Sequence, residues 1–351
     1  MKKLTELCTF PIIQAPMAGG ITTPELVAAV SNAGGLGSLA GPLLSPLAIV
    51  EQAEQIRRLT DKPFGINLFV QSTPHIDHAE IDSAKDLLQP VVSVLGWDKL
   101  PTPTHWCVDF EEQLDALIVA RPAVASFTFD VLHGNQLQRL HQAGIIVIGT
   151  ATNLQEAIVW QALGADAVCV QGIEAGGHRG TFIGEQRASN LSMLALLQYC
   201  APHIHIPIIA AGGVMDGADI DIALATGAQM VQMGTAFLTT KEAGTSAAYR
   251  QRLLDTRSDT TRQTRAFSGR LARGLHNEFM RLMEVVEEKV PAYPIQNALT
   301  SSIRAAAVKA NNTELMSLWA GQGVARCRDL SVAELMQLLV SEWQTATRNK
   351  I

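Results

Sequence analysis

The chain has 351 residues, 47% of them hydrophobic and 17% charged, so a large core can be buried and general disorder is excluded, apart from the Arg348-Asn349-Lys350 tail. Its net charge is −6 and no run of basic residues is interleaved with aromatics, which argues against a nucleic-acid partner. The first residues, "MKKLTELCTFPIIQAPMAGG", have two lysines before apolar residues. Glu6, Pro11 and Gln14 interrupt any signal-like core, and no apolar run reaches spanning length. Neither a secretory signal nor a membrane partner is therefore expected, and a cytoplasmic location is the default. The five cysteines (Cys8, Cys107, Cys169, Cys200, Cys327) form no CxxC and suit free thiols in a reducing compartment.

In chain order, eight short apolar runs read as strands: 11–17, 36–40, 63–70, 123–129, 145–151, 167–172, 206–213 and 230–236. Amphipathic stretches of helix length lie between most of them. Pro24, Asn153 and Asp216 sit at expected helix starts, and Gly34, Gly164 and Gly227 at expected ends. Continuous rather than alternating apolar strands indicate a parallel sheet covered on its outer face, and eight such units predict an α/β fold, a (β/α)₈ barrel. The echo of "ALGADAVCVQG" in "ATGAQMVQMGT" supports repeated units, although the pattern alone also allows a doubly wound sheet.

Two segments fall outside the repeat. Residues 71–122 form a long insertion, and 240–325 read as helical, with "SAAYRQRLLDT", "NEFMRLMEVVEEK" and "SSIRAAAVKA". The expected organisation is a barrel over 1–239 and a helical C-terminal segment over 240–351 packed across the barrel mouth, contributing to the active site.

In barrels the active site lies at the C-terminal strand ends, and phosphate is often held after strands seven and eight. Those ends read Ala211-Gly212-Gly213 and Gln232-Met233-Gly234-Thr235. Their glycines let backbone approach a phosphate closely, Thr235 adds a hydroxyl, and the helix starting near Asp216 would aim its positive end there. The bland alternative is that these glycines only end tight turns. "GLGSLA" (35–40) matches a dinucleotide fingerprint in the wrong context, after a helix and before a strand, and no P-loop is present. In Ala15-Pro16-Met17 the methionine is set to lie against a planar ring or simply in the core. Asn67 and Gln171 place amides at strand ends, suited to a heterocycle's edge or to internal hydrogen bonds.

His178 stands in "VCVQGIEAGGHRGTF" between glycines, after strand six. No second histidine or carboxylate lies at ligand spacing, so a metal site is not expected there, and "HIDH" (75–78) and "HIH" (203–205) read as surface loops. A lone histidine is commonly a surface residue. This one sits on the catalytic face, where it suits a general base or an anion-positioning group.

The stretches "PIIQAPMAGGITTPELVAAVSNAGGLGSLA", "PFGINLFV", "GTATNLQEA", "GADAVCVQGIEAGGHRGTF", "IPIIAAGGV", "GAQMVQMGTAFLTTKEAG" and "SLWAGQG" together resemble the FMN-dependent nitronate monooxygenases, formerly grouped as 2-nitropropane dioxygenases. The resemblance spans most of 8–325. It implies a TIM barrel with FMN at its mouth, contacted by Asn67, Gln171, Gly176, Gly213, Gln232, Met233, Gly234 and Thr235. Ala15, Pro16, Met17, Gly177 and Gly212 are placed beside them, and His178 takes the position of the family's catalytic histidine.

No pocket residue is carried over from 90–110 or 128–135, where the match lapses; Lys309 is a candidate anion partner. The activity implied is oxidation of an alkyl nitronate, plausibly propionate 3-nitronate, by O₂ through a flavin semiquinone to a carbonyl compound and nitrite, a detoxification. Whether His178 removes a proton from a nitroalkane or steadies the nitronate stays open. The alternatives are an FMN barrel that uses NAD(P)H to reduce quinones or an enoyl thioester, and a non-catalytic flavin-binding regulatory barrel. An oligomer is compatible with any of these.

Overall fold

The computed structural model describes residues 3–348. Eight parallel strands form the barrel: β1 (Ile12–Gln14), β2 (Gly37–Ala40), β3 (Phe64–Phe69), β4 (Val124–Thr128), β5 (Ile146–Ala151), β6 (Ala167–Gln171), β8 (Ile208–Ala211) and β9 (Met230–Met233). Their order around the sheet is β1-β9-β8-β6-β5-β4-β3-β2. The ring closes where Leu36 N donates to the Ile12 carbonyl (2.9 Å) and Gln14 N to the Leu36 carbonyl (3.0 Å). All eight expected strands are present; β2 and β5 end with their apolar runs and the other six end a residue or more earlier, so the last residues of those runs become the loops of the mouth.

Inside the ring, Ile13, Leu36, Val124, Ile146, Ile148, Cys169, Ile209 and Met230 fill the base of the barrel. Outside it, strand residues such as Ile12, Leu39, Ile66, Val147 and Val168 pack under the helices, so apolar side chains on both faces produce the continuous runs of the sequence. The helices begin as their caps predict: Thr23 accepts from Leu26 N ahead of Pro24, Asn153 from Glu156 N and Asp216 from Asp219 N. Gly164 and Gly227 take positive φ just beyond helix ends. The glycines of "GLGSLA" have a packing role: a Cβ on Gly37 would lie 2.1 Å from the Val27 carbonyl oxygen, where helix Pro24–Asn32 crosses β2.

The C-terminal half divides differently from the expectation of one helical appendage. Helix Val332–Arg348 returns to the barrel and packs between the helices Gly217–Ala225 and Pro24–Asn32, as the eighth helix of the repeat. Its Glu342 accepts from Gly217 N (3.0 Å), and Val332, Leu335, Met336 and Leu339 join the core between barrel and helices. Residues 240–331 between β9 and this helix form the lid, and they are not all helical. β10 (Thr261–Thr264) and β11 (Ala272–Leu275) make an antiparallel pair, to which the two-residue β7 (Gly177–His178) adds as a third strand.

Periodicity missed this hairpin because its strands are four residues long and rich in Thr and Arg. The insertion 71–122 contributes helices His78–Leu87 and Gln89–Val94 to the lid, while Phe110–Ala120 covers the barrel beside β3. Ile81, Leu88 and Val92 from the insertion share one core with Phe267, Phe279, Ile303 and Leu318 from the C-terminal segment. Two insertions distant in sequence thus build one lid.

β5 carries a severe packing constraint: a Cβ on Gly149 would fall 1.9 Å from the buried Trp160 ring, whose Nε1 donates to the Thr150 carbonyl (3.1 Å). Gly149→Ala is expected to destabilise the protein by about 1–3 kcal/mol, read as a lower urea midpoint at unchanged m-value, because the ring has no free volume to enter.

Candidate active site

The C-terminal strand ends and the lid enclose a cavity of about 720 Å³, a size that holds a nucleotide-class ligand. Ala15, Pro16, Met17, Asn67, Gln171, Gly176, Gly177, His178, Gly212, Gln232, Gly234 and Thr235 all line it. Gly213 and Met233 do not. Met233 is buried in the barrel–helix core and offers its carbonyl to Ala15 N (2.9 Å), while the Gly213 carbonyl accepts from Arg326 (2.9 Å). Lys309 is exposed at the end of its helix; Arg304, on the same helix, lines the cavity. Among the described residues, no cluster of three or more His, Cys, Asp or Glu is placed to hold a metal ion, and no helix is long and apolar enough to cross a membrane.

At one end of the cavity the backbone turns sharply through Gly212 (φ +110°) and Gly213 (φ +76°), a region that side chains rarely enter. A Cβ on Gly212 would come within 3.2 Å of Ala175 N. The Thr235 hydroxyl accepts from Gly321 N (2.9 Å), which leaves its own proton to donate into the site. The helix terminus beyond Gly213 is less available than the sequence suggests: Glu342 takes Gly217 N and Asp216 takes Asp219 N. The glycine turns and Thr235 are the parts that fit a phosphate.

Gly176 serves another purpose. A Cβ there would lie 2.6 Å from the Ala320 carbonyl carbon and the Gly321 nitrogen, so this glycine admits the strap formed by "WAGQG". Gln322 N donates to the Glu174 carbonyl (3.0 Å) and completes the seal.

The two strand-end amides have different roles. Asn67 uses Nδ2 on the Ser126 carbonyl and hydroxyl (both 3.0 Å). Gln171 is turned on its own loop: Nε2 donates to the His178 carbonyl (3.0 Å), and Oε1 accepts from Gly180 N (2.9 Å) and Arg179 (3.1 Å). It fixes the histidine loop while lining the cavity.

His178 sits among rings, with Phe69, Phe129 and Tyr293 meeting it edge-on at centroid distances of 6.0, 5.5 and 5.8 Å, and Trp319 at 5.7 Å. Its Nε2 is 2.8 Å from Ser268 Oγ, and that hydroxyl has the Arg270 carbonyl as its acceptor (3.1 Å). Ser268 Oγ therefore accepts the hydrogen bond from Nε2–H, and Nδ1 keeps its lone pair. Burial, with the charges of Arg270 and Arg304 added, pulls the imidazole down to about 3, so it is neutral near pH 7.

Tyr293 is pushed well above the usual phenol range, chiefly by burial. Arg304 is the one formally charged side chain among the cavity-lining residues. Its guanidinium donates to the Asn297 carbonyl (2.7 Å) and side chain (2.9 Å), Nε is buried without a partner, and burial lowers it to about 10. Sequence reading missed Phe69 and Phe129 because at the ends of strand runs they read as ordinary core residues, and Ser268, Tyr293 and Arg304 because only the folding of the lid brings them to the site.

Fold and site together define a TIM barrel with a cofactor-sized cavity at its mouth. The family model for nitronate monooxygenase matches residues 1–342. A probable nitronate monooxygenase of Staphylococcus haemolyticus is 39% identical over 338 residues, covering 96% of this chain and 94% of that protein. The crystal structure of nitroalkane oxidase from Streptomyces ansochromogenes superposes with a TM-score of 0.92 at 38% identity, covering 99% of both chains. FabK from Thermotoga maritima gives 0.78 at 26% identity, covering 99% and 97%. The chain belongs to the nitronate monooxygenase family, a family of flavoprotein enzymes.

A histidine neutral in the folded state and ordinary when unfolded makes the unfolded chain the stronger proton binder between pH 6.5 and about 3. Stability from this group is complete above 6.5 and falls with pH, by at most about 1.4 kcal/mol per pH unit. In His178→Gln, the decline in urea-unfolding free energy between pH 7 and pH 5 should be shallower than in the wild type.

Proposed function

We propose that this protein is an FMN-dependent monooxygenase acting on alkyl nitronates that carry a carboxylate, with propionate 3-nitronate the fitting example. The observation that carries the proposal is Arg304: a half-buried guanidinium on the cavity wall, with its Nε unbonded and, among the described residues, no carboxylate partner, beside a neutral histidine. An uncompensated buried charge is costly, and an anionic substrate relieves that cost. Arginine also suits a carboxylate through two parallel hydrogen bonds.

The residues that would hold FMN are Gly212, Gly234 and Thr235 for its phosphate, Asn67 and Gln232 for the ring edge, and Ala15, Pro16 and Met17 beside the ring; all line the cavity. Bound there, FMN would supply the one-electron chemistry that joins a nitronate to O₂ and yields a carbonyl compound and nitrite.

The protein's own residues do the rest. Arg304 anchors the carboxylate, and the rings of Phe69, Phe129, Tyr293 and Trp319 exclude water around the reacting end. His178 presents Nδ1 as a base to a neutral nitroalkane, with Ser268 holding Nε2–H. The two arginines that favour a nitronate anion disfavour an imidazolium. A substrate arriving as the nitronate therefore suits the site better than one that must first lose its proton.

Oxygen uptake with propionate 3-nitronate, accompanied by nitrite, is the direct test, with the flavin released by heat identified as FMN. FAD in the supernatant overturns the cofactor assignment, and rapid anaerobic bleaching of the flavin by NADH or NADPH favours a pyridine-nucleotide reductase. His178→Asn should lower turnover of a neutral nitroalkane by about 10²-fold or more while leaving much of the nitronate activity. Arg304→Met should lower kcat/KM for propionate 3-nitronate by roughly 10- to 100-fold, mainly through KM, with a smaller change for alkyl nitronates that lack a carboxylate.

A further inference from the structure

The turn joining β10 to β11 is the part of the lid that meets the histidine loop, and three consecutive residues in it have separate tasks. Ser268 faces Nε2 of His178. Gly269 (φ +79°) lets the Tyr293 segment pass, since a Cβ there would lie 2.1 Å from the Pro291 carbonyl oxygen. Arg270 does not line the cavity, and among the described residues it forms no ion pair with a carboxylate. Its Nε donates to the Arg179 carbonyl (3.0 Å) and its terminal nitrogen to the Thr181 carbonyl, one on each side of Gly180. The face of the guanidinium lies over the Phe129 ring, 3.9 Å from its centroid.

Phe129 makes this contact informative. It is buried and has φ +89°, a conformation that costs a residue with a Cβ and persists only where its surroundings impose it. Its ring stacks near Phe69 (4.0 Å between centroids) and meets His178 and Tyr293 edge-on (5.5 and 5.2 Å). Arg270 covers this ring while also gripping the backbone just after the imidazole.

We propose that Arg270 is a positioning residue for His178: its carbonyl contacts fix the loop that carries the imidazole, and its guanidinium holds the strained Phe129 ring as the wall beside it. This deepens the reading of His178 as the group offered to substrate, and rests on it. The charged and titratable groups around the imidazole are Arg179 on its own loop, Arg270 and Arg273 on the hairpin, and Tyr293 and Arg304 on the lid. Glu156, Glu174 and Asp130 lie behind, acting on the arginines. The nearer groups are thus cationic, and removing Arg270 weakens their effect on His178 while freeing the loop and the ring.

The test is a side-chain ¹⁵N-histidine NMR titration of the flavin-loaded protein, with His178→Asn to assign the signal. The variants are Arg270→Met, Arg270→Lys and Phe129→Leu. Wild type should show one neutral tautomer, protonated on Nε2, down to pH 5. In Arg270→Met, proton affinity should rise roughly tenfold and the tautomer signal should become an average. Arg270→Lys retains the charge and should titrate like wild type while losing the single tautomer, and Phe129→Leu should also show tautomer averaging.

An unchanged titration and tautomer signal in Arg270→Met overturns the proposal. If that variant does not fold, a wild-type tautomer signal in both Arg270→Lys and Phe129→Leu overturns it. Failure of wild type to oxidise any nitronate removes the proposed function, whereas the NMR comparison reads the contact between Arg270 and His178 independently.

Discussion

The site depends on one buried arginine. Arg179 is fully inaccessible, and its guanidinium donates to the Gln171 and Gly172 carbonyls (3.0 and 2.7 Å), to Gln171 Oε1 (3.1 Å) and to the Ser189 carbonyl (2.8 Å). A charge taken out of water at such a position is tolerated only when it is hydrogen-bonded and opposed by charge, here by Glu156 and Glu174. Glu156, itself buried, accepts from Thr152, Phe182 and Ile183 amides and so extends the same clamp to the far side of the loop. The glycine-rich segment after β6 has few side chains of its own to order it. This network fixes its path and therefore the place of His178.

The second dependence is on the lid. β7 is only two residues long, and His178 is one of them, so the catalytic-face loop is hydrogen-bonded into a sheet whose other strands come from the C-terminal segment. Ser268, Tyr293, Arg304 and Trp319 reach the cavity or the histidine only because that segment folds back over the mouth. Its core is shared with the first insertion, which lines none of the cavity itself but supports the lid that does. The opposite wall, with Asn67, Gly212, Gln232, Gly234 and Thr235, is made by the repeat itself.

Much of this was legible before any coordinates. The eight strands, the caps at Asn153 and Asp216, and twelve of the cavity-lining residues followed from periodicity, turn chemistry and the family resemblance. Two assignments shifted for local reasons. Gly176 admits the strap rather than only a ligand, and Gln171 spends its amide on the histidine loop, because a residue type states what a group can bond and not which neighbour reaches it. Lys309 and Arg304 show the same limit: both are cations on one short helix, and packing against the lid core decides which faces inward.

The sequence by itself determined the eight strand–helix units, the glycines at the strand ends and the lone histidine after β6, because hydrophobic period, chain reversal and backbone freedom are properties of neighbouring residues. Only the tertiary structure decided that His178 is neutral, that its Nε2–H donates to Ser268, and that Arg304 and Arg270 surround it. Those facts arise from groups about 90 to 130 residues distant in sequence that meet within a few ångströms, where burial and unshielded charge set the chemistry.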